Sequence, residues 1–161
     1  MTVRAAVPSD LETIIDLIRA LAEYEREPEA VVLDPAELAQ HLFGPRPFAE
    51  VLIAEEAGEA VGFALFFHNF STWLGKPGIW LEDLFVRPGQ RGRGHGKALL
   101  AAVAAFAVER GCGRFEWSVL DWNQPSIDFY RALGAVPMDE WTTYRVSGEA
   151  LERLAATRAR T

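Results

Sequence analysis

A single α/β domain with a mixed sheet is the fold class this sequence predicts, and three observations carry it. Val51 to Glu55 and Ala60 to Phe67 are β-rich runs joined by a short turn at Ala57-Gly58, the pattern of a hairpin. Ile79 to Val86, an Ala/Leu/Val-rich helix from Lys97 to Glu109, and Phe115 to Leu120 form a strand–helix–strand unit, which implies parallel strands. Helical segments with start and stop signals flank these strands, so a mixed, mostly antiparallel sheet with helices on both faces is expected.

Taken in order, a short strand near Val3 to Ala6 opens the chain. Ser9-Asp10-Leu11-Glu12 then reads as a capping box, and Leu11, Ile14, Ile15, Ile18 and Leu21 recur at helical spacing to give one apolar stripe. Asp34-Pro35-Ala36-Glu37 starts a second helix with an acidic cap and proline at the first helical position, and Gly44-Pro45 stops it. Gly111 closes the helix that ends at Glu109. Asp121 to Ser126 is a turn that starts a further helix from Ile127 to Leu133, stopped by Gly134. Trp141 to Val146 reads as a final strand and Glu149 to Ala156 as a terminal helix.

At 161 residues, 50% hydrophobic and 24% charged, the chain suffices for one buried core, so one domain over residues 1–161 is expected. The lone Cys112 excludes an intramolecular disulfide, and His41, His68 and His95 show no metal-ligand spacing among themselves or with it, so no metal is expected. The start, Met1-Thr2-Val3-Arg4-Ala5, lacks a secretory pattern, and no run is long enough to span a bilayer, so a cytoplasmic protein without a membrane partner is expected. A net charge of −7 makes nucleic acid a poor partner.

Against that acidic background, Arg87-Pro88-Gly89-Gln90-Arg91-Gly92-Arg93-Gly94-His95-Gly96-Lys97 packs four cations and four glycines between a strand and a helix. Glycines let the backbone approach a ligand and adopt positive φ, and the helix start adds unpaired N–H groups and its positive dipole end. A phosphate or pyrophosphate is the natural guest. A P-loop would need glycine where Arg91 stands and Ser or Thr where Ala98 stands, and a dinucleotide fingerprint would need glycine where Lys97 stands. What remains is R-x-x-G-x-G, from Arg91 through Gly94 to Gly96, at a helix start. His95 is expected to expose its side chain while its backbone faces the phosphate.

That loop resembles the acetyl-coenzyme A pyrophosphate loop of the GNAT N-acetyltransferases. Leu21-Ala22-Glu23-Tyr24-Glu25, Phe43-Gly44, Pro47-Phe48, Ser71-Thr72-Trp73-Leu74-Gly75-Lys76, Leu81-Glu82-Asp83 and Asp121-Trp122-Asn123-Gln124 through Phe129-Tyr130 resemble one branch of it, the diamine (spermidine/spermine) and thialysine N-acetyltransferases. The resemblance spans nearly the whole chain in order. Polyamine-acetylating members carry an acid and a proline where Ser71 and Thr72 stand, so the chain is more similar to the thialysine enzymes.

The resemblance implies the acyl-CoA N-acyltransferase fold, acetyl-CoA as co-substrate, and a homodimer, with the exposed loop near Trp73 as a contact. It implies that Leu84, Phe85 and Val86 bind the acetyl and pantetheine arm like an added strand, with a bulge there aiming a donor at the carbonyl. Arg91, Gly92, Arg93, Gly94, His95, Gly96 and Lys97 hold the pyrophosphate, and Asn123, Gln124, Pro125 and Ser126 form the second coenzyme turn. Tyr130 stands where the family has its proton donor to the coenzyme sulfur, although it also reads as an ordinary helix tyrosine packing on the sheet. Glu82 is the first candidate to attract the cationic amine and take its proton, with Tyr24, Glu25 and Asp83 shaping the channel. A strand-end glutamate paired with arginine is its bland alternative. Glu116, Trp117, Ser118 and Glu140 stand at substrate-side positions.

The expected activity is direct attack of a small primary amine, thialysine or a lysine-like amino acid, on the thioester. Diamines and polyamines are the alternative substrates, and a coenzyme-binding sensor without turnover is the alternative class.

Overall fold

The computed structural model describes residues 1–158, and the chain divides into two compact units, residues 1–118 and the residues from 119 onward. The first unit carries a five-stranded sheet whose spatial order follows the sequence: β1 (Thr2–Ala5), β2 (Glu50–Glu56), β3 (Glu59–Ser71), β4 (Lys76–Val86) and β5 (Phe115–Trp117). Neighbours are antiparallel up to β4, and β4 pairs with β5 in parallel. Three helices of this unit are α1 (Leu11–Tyr24), α2 (Pro35–Phe43) and α3 (His95–Glu109). The second unit holds α4 (Gln124–Ala132) and α5 (Gly148–Ala156).

Alternation along the strands sorts the core into two layers. Ile14, Leu17 and Leu21 of α1 pack with Leu42 of α2 against Val51 and Ile53, Phe63 and Phe85, the inward residues of β2, β3 and β4. The opposite face meets α3, where the Phe66 and Phe106 rings stack 5.9 Å apart and Leu99, Leu100 and Val103 are buried. Each fully buried Leu, Ile or Phe side chain contributes roughly 1.5–3 kcal/mol relative to exposure, so these two layers dominate the unit's stability.

Several expected boundaries stand. Asp34 caps α2, its Oδ1 accepting the Ala36 and Glu37 N–H groups at 2.9 Å each. The hairpin turns at Ala57 and Gly58, both left-handed (φ 52° and 85°), which is the geometry of a two-residue turn matched to strand twist. Gly111 and Gly134 adopt positive φ after α3 and α4.

Three expectations are corrected. The capping box at Ser9 does not form, because Asp10 accepts from the Val7 N–H at 2.8 Å and grips Arg4 with both oxygens at 2.7 and 2.9 Å. Arg4 also donates to Glu55 at 2.8 Å, so its guanidinium ties β1 and β2 to the start of α1 and holds Asp10 below the usual carboxylate range. β5 stops at Trp117 rather than running to Leu120. Residues 141–147 form no strand among the described residues; Trp141 is 70% exposed and Tyr144 is 92% exposed. Aromatic and β-branched residues supply a strand's composition here, but a strand also needs a partner edge.

Candidate active site

β4 brings the acidic candidates together through an irregularity. Leu65 of β3 pairs with Asp83 while Phe66 pairs with Leu81, which leaves Glu82 as the extra residue of a β-bulge. The bulge therefore falls at the carboxylate pair, before the Leu84–Val86 segment where the sequence suggested it. Glu82 is exposed, and its Oε2 accepts the Trp80 indole N–H at 2.9 Å, so Glu82 has an indole partner and not the arginine of the bland alternative.

Asp83 lies half-buried opposite Leu65, on the α1 face shared with Phe85. Burial pushes its carboxyl up to about 7, helped by the charge of Glu82 and then of Glu25. Glu25, just past the end of α1, is itself raised by burial. A carboxylate that changes protonation near neutrality is what an acid–base role requires. Trp80 and the proton affinity of Asp83 are the two features the sequence reading missed; both come from tertiary neighbours.

Beyond Leu81 the β5 side of β4 is without a strand neighbour among the described residues, because the parallel pairing ends at Leu81 with Trp117. Leu84, Phe85 and Val86 lie along that open edge, and Phe85 and Val86 are buried. The chain then makes a single 3₁₀ turn, Pro88–Gln90, and enters the glycine loop. Gly92 and Gly94 have φ of 75° and 89°, the left-handed region that favours glycine, and a Cβ at either would point into open space. The α3 ladder begins with Ala98 N–H donating to Gly94 O at 2.9 Å, which leaves the first-turn N–H groups of Gly96 and Lys97 outside it. Arg93 and Lys97 are exposed.

His95 corrects the sequence expectation: its side chain is buried, 1% exposed. α3 starts at this residue, so the first helical turn directs the imidazole into the fold. Nε2 stands 3.5 Å from Glu56 Oε2, within ion-pair range yet not as a hydrogen bond, and Nδ1 has no partner among the described residues. An unbonded buried polar ring is a liability that an apolar side chain removes. His95→Leu is therefore expected to melt at or above the wild-type temperature in calorimetry, and a marked drop would show that the imidazole holds the helix start.

Arg91 turns away from the glycines. Its Nε donates to Val86 O at 2.9 Å, and its guanidinium lies 4.2 Å from the centre of the Tyr24 ring and 5.7 Å from that of Phe85. Tyr24, Glu25, Glu82, Asp83, Phe85 and Arg91 thus gather where α1 ends over β4. Glu116 is engaged elsewhere, with Arg114 at 2.6 Å and Asn69 at 3.1 Å; Trp117 packs edge-on against Phe115, and Ser118 is exposed.

In the second unit, Asn123 is buried and caps α4, its side chain accepting from the Ser126 N–H at 3.4 Å. Gln124, Pro125 and Ser126 form the first turn of α4, Tyr130 lies in its second half with its ring 5.4 Å from that of Phe129, and Glu140 is exposed in a later turn. Among the described residues no group of three or more His, Cys, Asp or Glu side chains is placed to hold a metal, and no helix is long and apolar enough to cross a membrane.

The acetyltransferase (GNAT) family profile matches residues 12–135. The chain belongs to the GNAT acetyltransferase family. It is an N-acetyltransferase, and its relatives lie in the branch that the motifs indicated. A thialysine N-epsilon-acetyltransferase of Sus scrofa is 38% identical over 164 residues, covering 95% of this chain and 96% of that one. An L-ornithine N5-acetyltransferase of Arabidopsis thaliana is 32% identical, over 94% of this chain and 86% of that one. Among solved structures, an integron cassette protein of V. cholerae superposes with a TM-score of 0.79 at 25% identity, over 97% of this chain and 98% of that one. The mixed sheet with its parallel β4–β5 pair is the family's fold.

Proposed function

We propose that this GNAT enzyme uses acetyl-CoA to acetylate the distal primary amine of a small basic amino acid, thialysine or a close lysine-like analogue, and that residues 1–161 act as one N-acetyltransferase domain. The observation that carries the coenzyme assignment is the open β4 edge running directly into the glycine-rich start of α3. An extended pantetheine arm fits the one, by backbone hydrogen bonds at Leu84–Val86, and a pyrophosphate fits the other, at the free N–H groups of the first turn with Arg93 and Lys97 nearby. Asn123 to Ser126 would serve as the second coenzyme turn. Acetyl-CoA supplies the activated acetyl thioester; the chain's own residues bind, orient and move protons.

An amine arrives as an ammonium ion and must lose a proton before it attacks. Glu82, Asp83 and Glu25 supply the negative field that attracts it. We assign Asp83 as the group that accepts the proton, with Glu82, held by Trp80, receiving the ammonium. Tyr130 is assigned the return of a proton to the departing sulfur. Glu116, Trp117, Ser118 and Glu140 complete the list of substrate-side candidates, of which Glu116 already has an ion-pair partner.

Support for a basic amino acid comes from the relatives named for thialysine and ornithine, and from Ser71, where polyamine enzymes carry an acid. Ser71 is buried and its hydroxyl accepts the Leu74 N–H at 3.3 Å, a turn-holding role that leaves no charge for a long polycation. The exposed Phe70, Trp73 and Leu74 beside it support a homodimer contact at this hairpin tip. Mass spectrometry of the purified protein with acetyl-CoA and thialysine should show a product heavier by one acetyl group at the distal nitrogen. No acetylated product from any amine would overturn the assignment in favour of a coenzyme-binding sensor.

A further inference from the structure

We propose that Arg91 is a positioning residue for the amine site: it clasps the end of α1 to the end of β4 and so couples the glycine loop to the carboxylates that receive the amine. The inference rests, for its kinetic part, on the acetyltransferase reading above.

The geometry commits the whole Arg91 side chain. Its Nε is bonded to the Val86 carbonyl, the last residue of β4, at 2.9 Å, and its planar head covers the Tyr24 ring at 4.2 Å with Phe85 at 5.7 Å. Tyr24 is the last residue of α1. Glu25 follows, its N–H bonded back to Leu21 O at 2.9 Å, and Arg26 then turns the chain with a left-handed φ of 67°. Glu25 is the next residue, so the position of the Tyr24 ring sets where the backbone that carries the Glu25 carboxylate leaves α1. Arg91 also opens the loop of Arg91 to Lys97, so whatever orders that loop orders Tyr24 and Glu25 with it. Lysine cannot reproduce this arrangement, since the contact needs a planar head and a ring-side donor together.

The charged groups that act on Asp83 are Glu82 on its own strand and Glu25 from the α1 end, while β3 opposes it with the apolar Leu65. Loosening the clasp should let water reach Asp83, whose burial is the main cause of its raised value, and let Glu25 move away, so Asp83 should ionise at lower pH.

The test uses Tyr24→Leu, Tyr24→Phe and Arg91→Lys in the full chain, with two readouts. In kinetics at saturating acetyl-CoA, Tyr24→Leu should raise the amine KM about three- to tenfold, the span of one cation–π contact, with a smaller change in kcat. Arg91→Lys should change the amine KM in the same direction, and Tyr24→Phe, which keeps the ring under the guanidinium, should raise it less than Tyr24→Leu does. The carboxyl titration of Asp83, followed by carbon-13 NMR without substrate, should move to lower pH in Tyr24→Leu and not in Tyr24→Phe. That arm reports on the clasp even in a protein that acetylates none of the amines offered, so failure of the clasp and failure of the acetyltransferase reading give different results. An unmoved Asp83 titration and amine KM in Tyr24→Leu, with only a lower melting temperature, would reduce the contact to packing and overturn the proposal. Equal damage from Tyr24→Phe would overturn it too, because the hydroxyl and not the ring would then matter.

Discussion

Asp83→Asn is expected to lower kcat/KM for the amine by about 10²- to 10⁴-fold, the usual weight of a positioned general base. Wild-type kcat/KM should rise with pH through a limb near 7, set by a carboxyl that burial, Glu82 and Glu25 push up to about 7. The variant should lack that limb. Stability should move the other way. Between the ordinary aspartate value of 3.8 and about 7 the folded protein holds a proton on Asp83 that the unfolded chain has released, so raising the pH through this window weakens the fold. Asparagine never ionises, so Asp83→Asn should outlast wild type in thermal melts above pH 7 and match it more closely below pH 4. Full activity with an unmoved limb would place the proton acceptor elsewhere, with Glu82 next in line. Glu82→Gln, by contrast, keeps an acceptor oxygen for the Trp80 N–H and is expected to act mainly on amine KM.

The second large effect is expected at Tyr130. Phenylalanine keeps the ring beside Phe129 and the end of α4, so Tyr130→Phe should fold and bind acetyl-CoA as wild type does. Its kcat should fall about 10²-fold or more if the phenol protonates the departing sulfur. Equal kcat would leave Tyr130 with the packing role that any helix tyrosine can fill, and the thiolate would then depart without a protein acid.

What the sequence made legible was what is local. Arg91 to Lys97 could be read because glycines, cations and a helix start leave their signature within a few residues, and Asp34-Pro35 or Ala57-Gly58 because caps and turns do the same. Depending on long-range register, the bulge at Glu82 was not visible in either strand alone. The same holds for Asp83, whose proton affinity comes first from burial in the folded chain, then from Glu82 and from Glu25 arriving from the end of α1. His95 misled because a histidine among arginines and glycines looks solvent-facing, yet the helix starts at that residue and turns it inward. Trp141 to Val146 misled for the reverse reason: its local pattern is strand-like, and the partner edge is a property of the fold.

Ser71 carries part of the proposed substrate choice. Its hydroxyl holds the β3–β4 turn, so the chain gains a cap at the place where polyamine enzymes put a charge. In the proposed amine site, Glu25, Glu82 and Asp83 form a compact cluster suited to one ammonium group.

The most direct measurement is thiol release from acetyl-CoA with thialysine, lysine, ornithine and spermidine compared at matched, sub-saturating concentrations. The highest kcat/KM is expected for thialysine or another of the basic amino acids. A clear preference for spermidine would contradict that expectation and assign the chain to the polyamine side of its family.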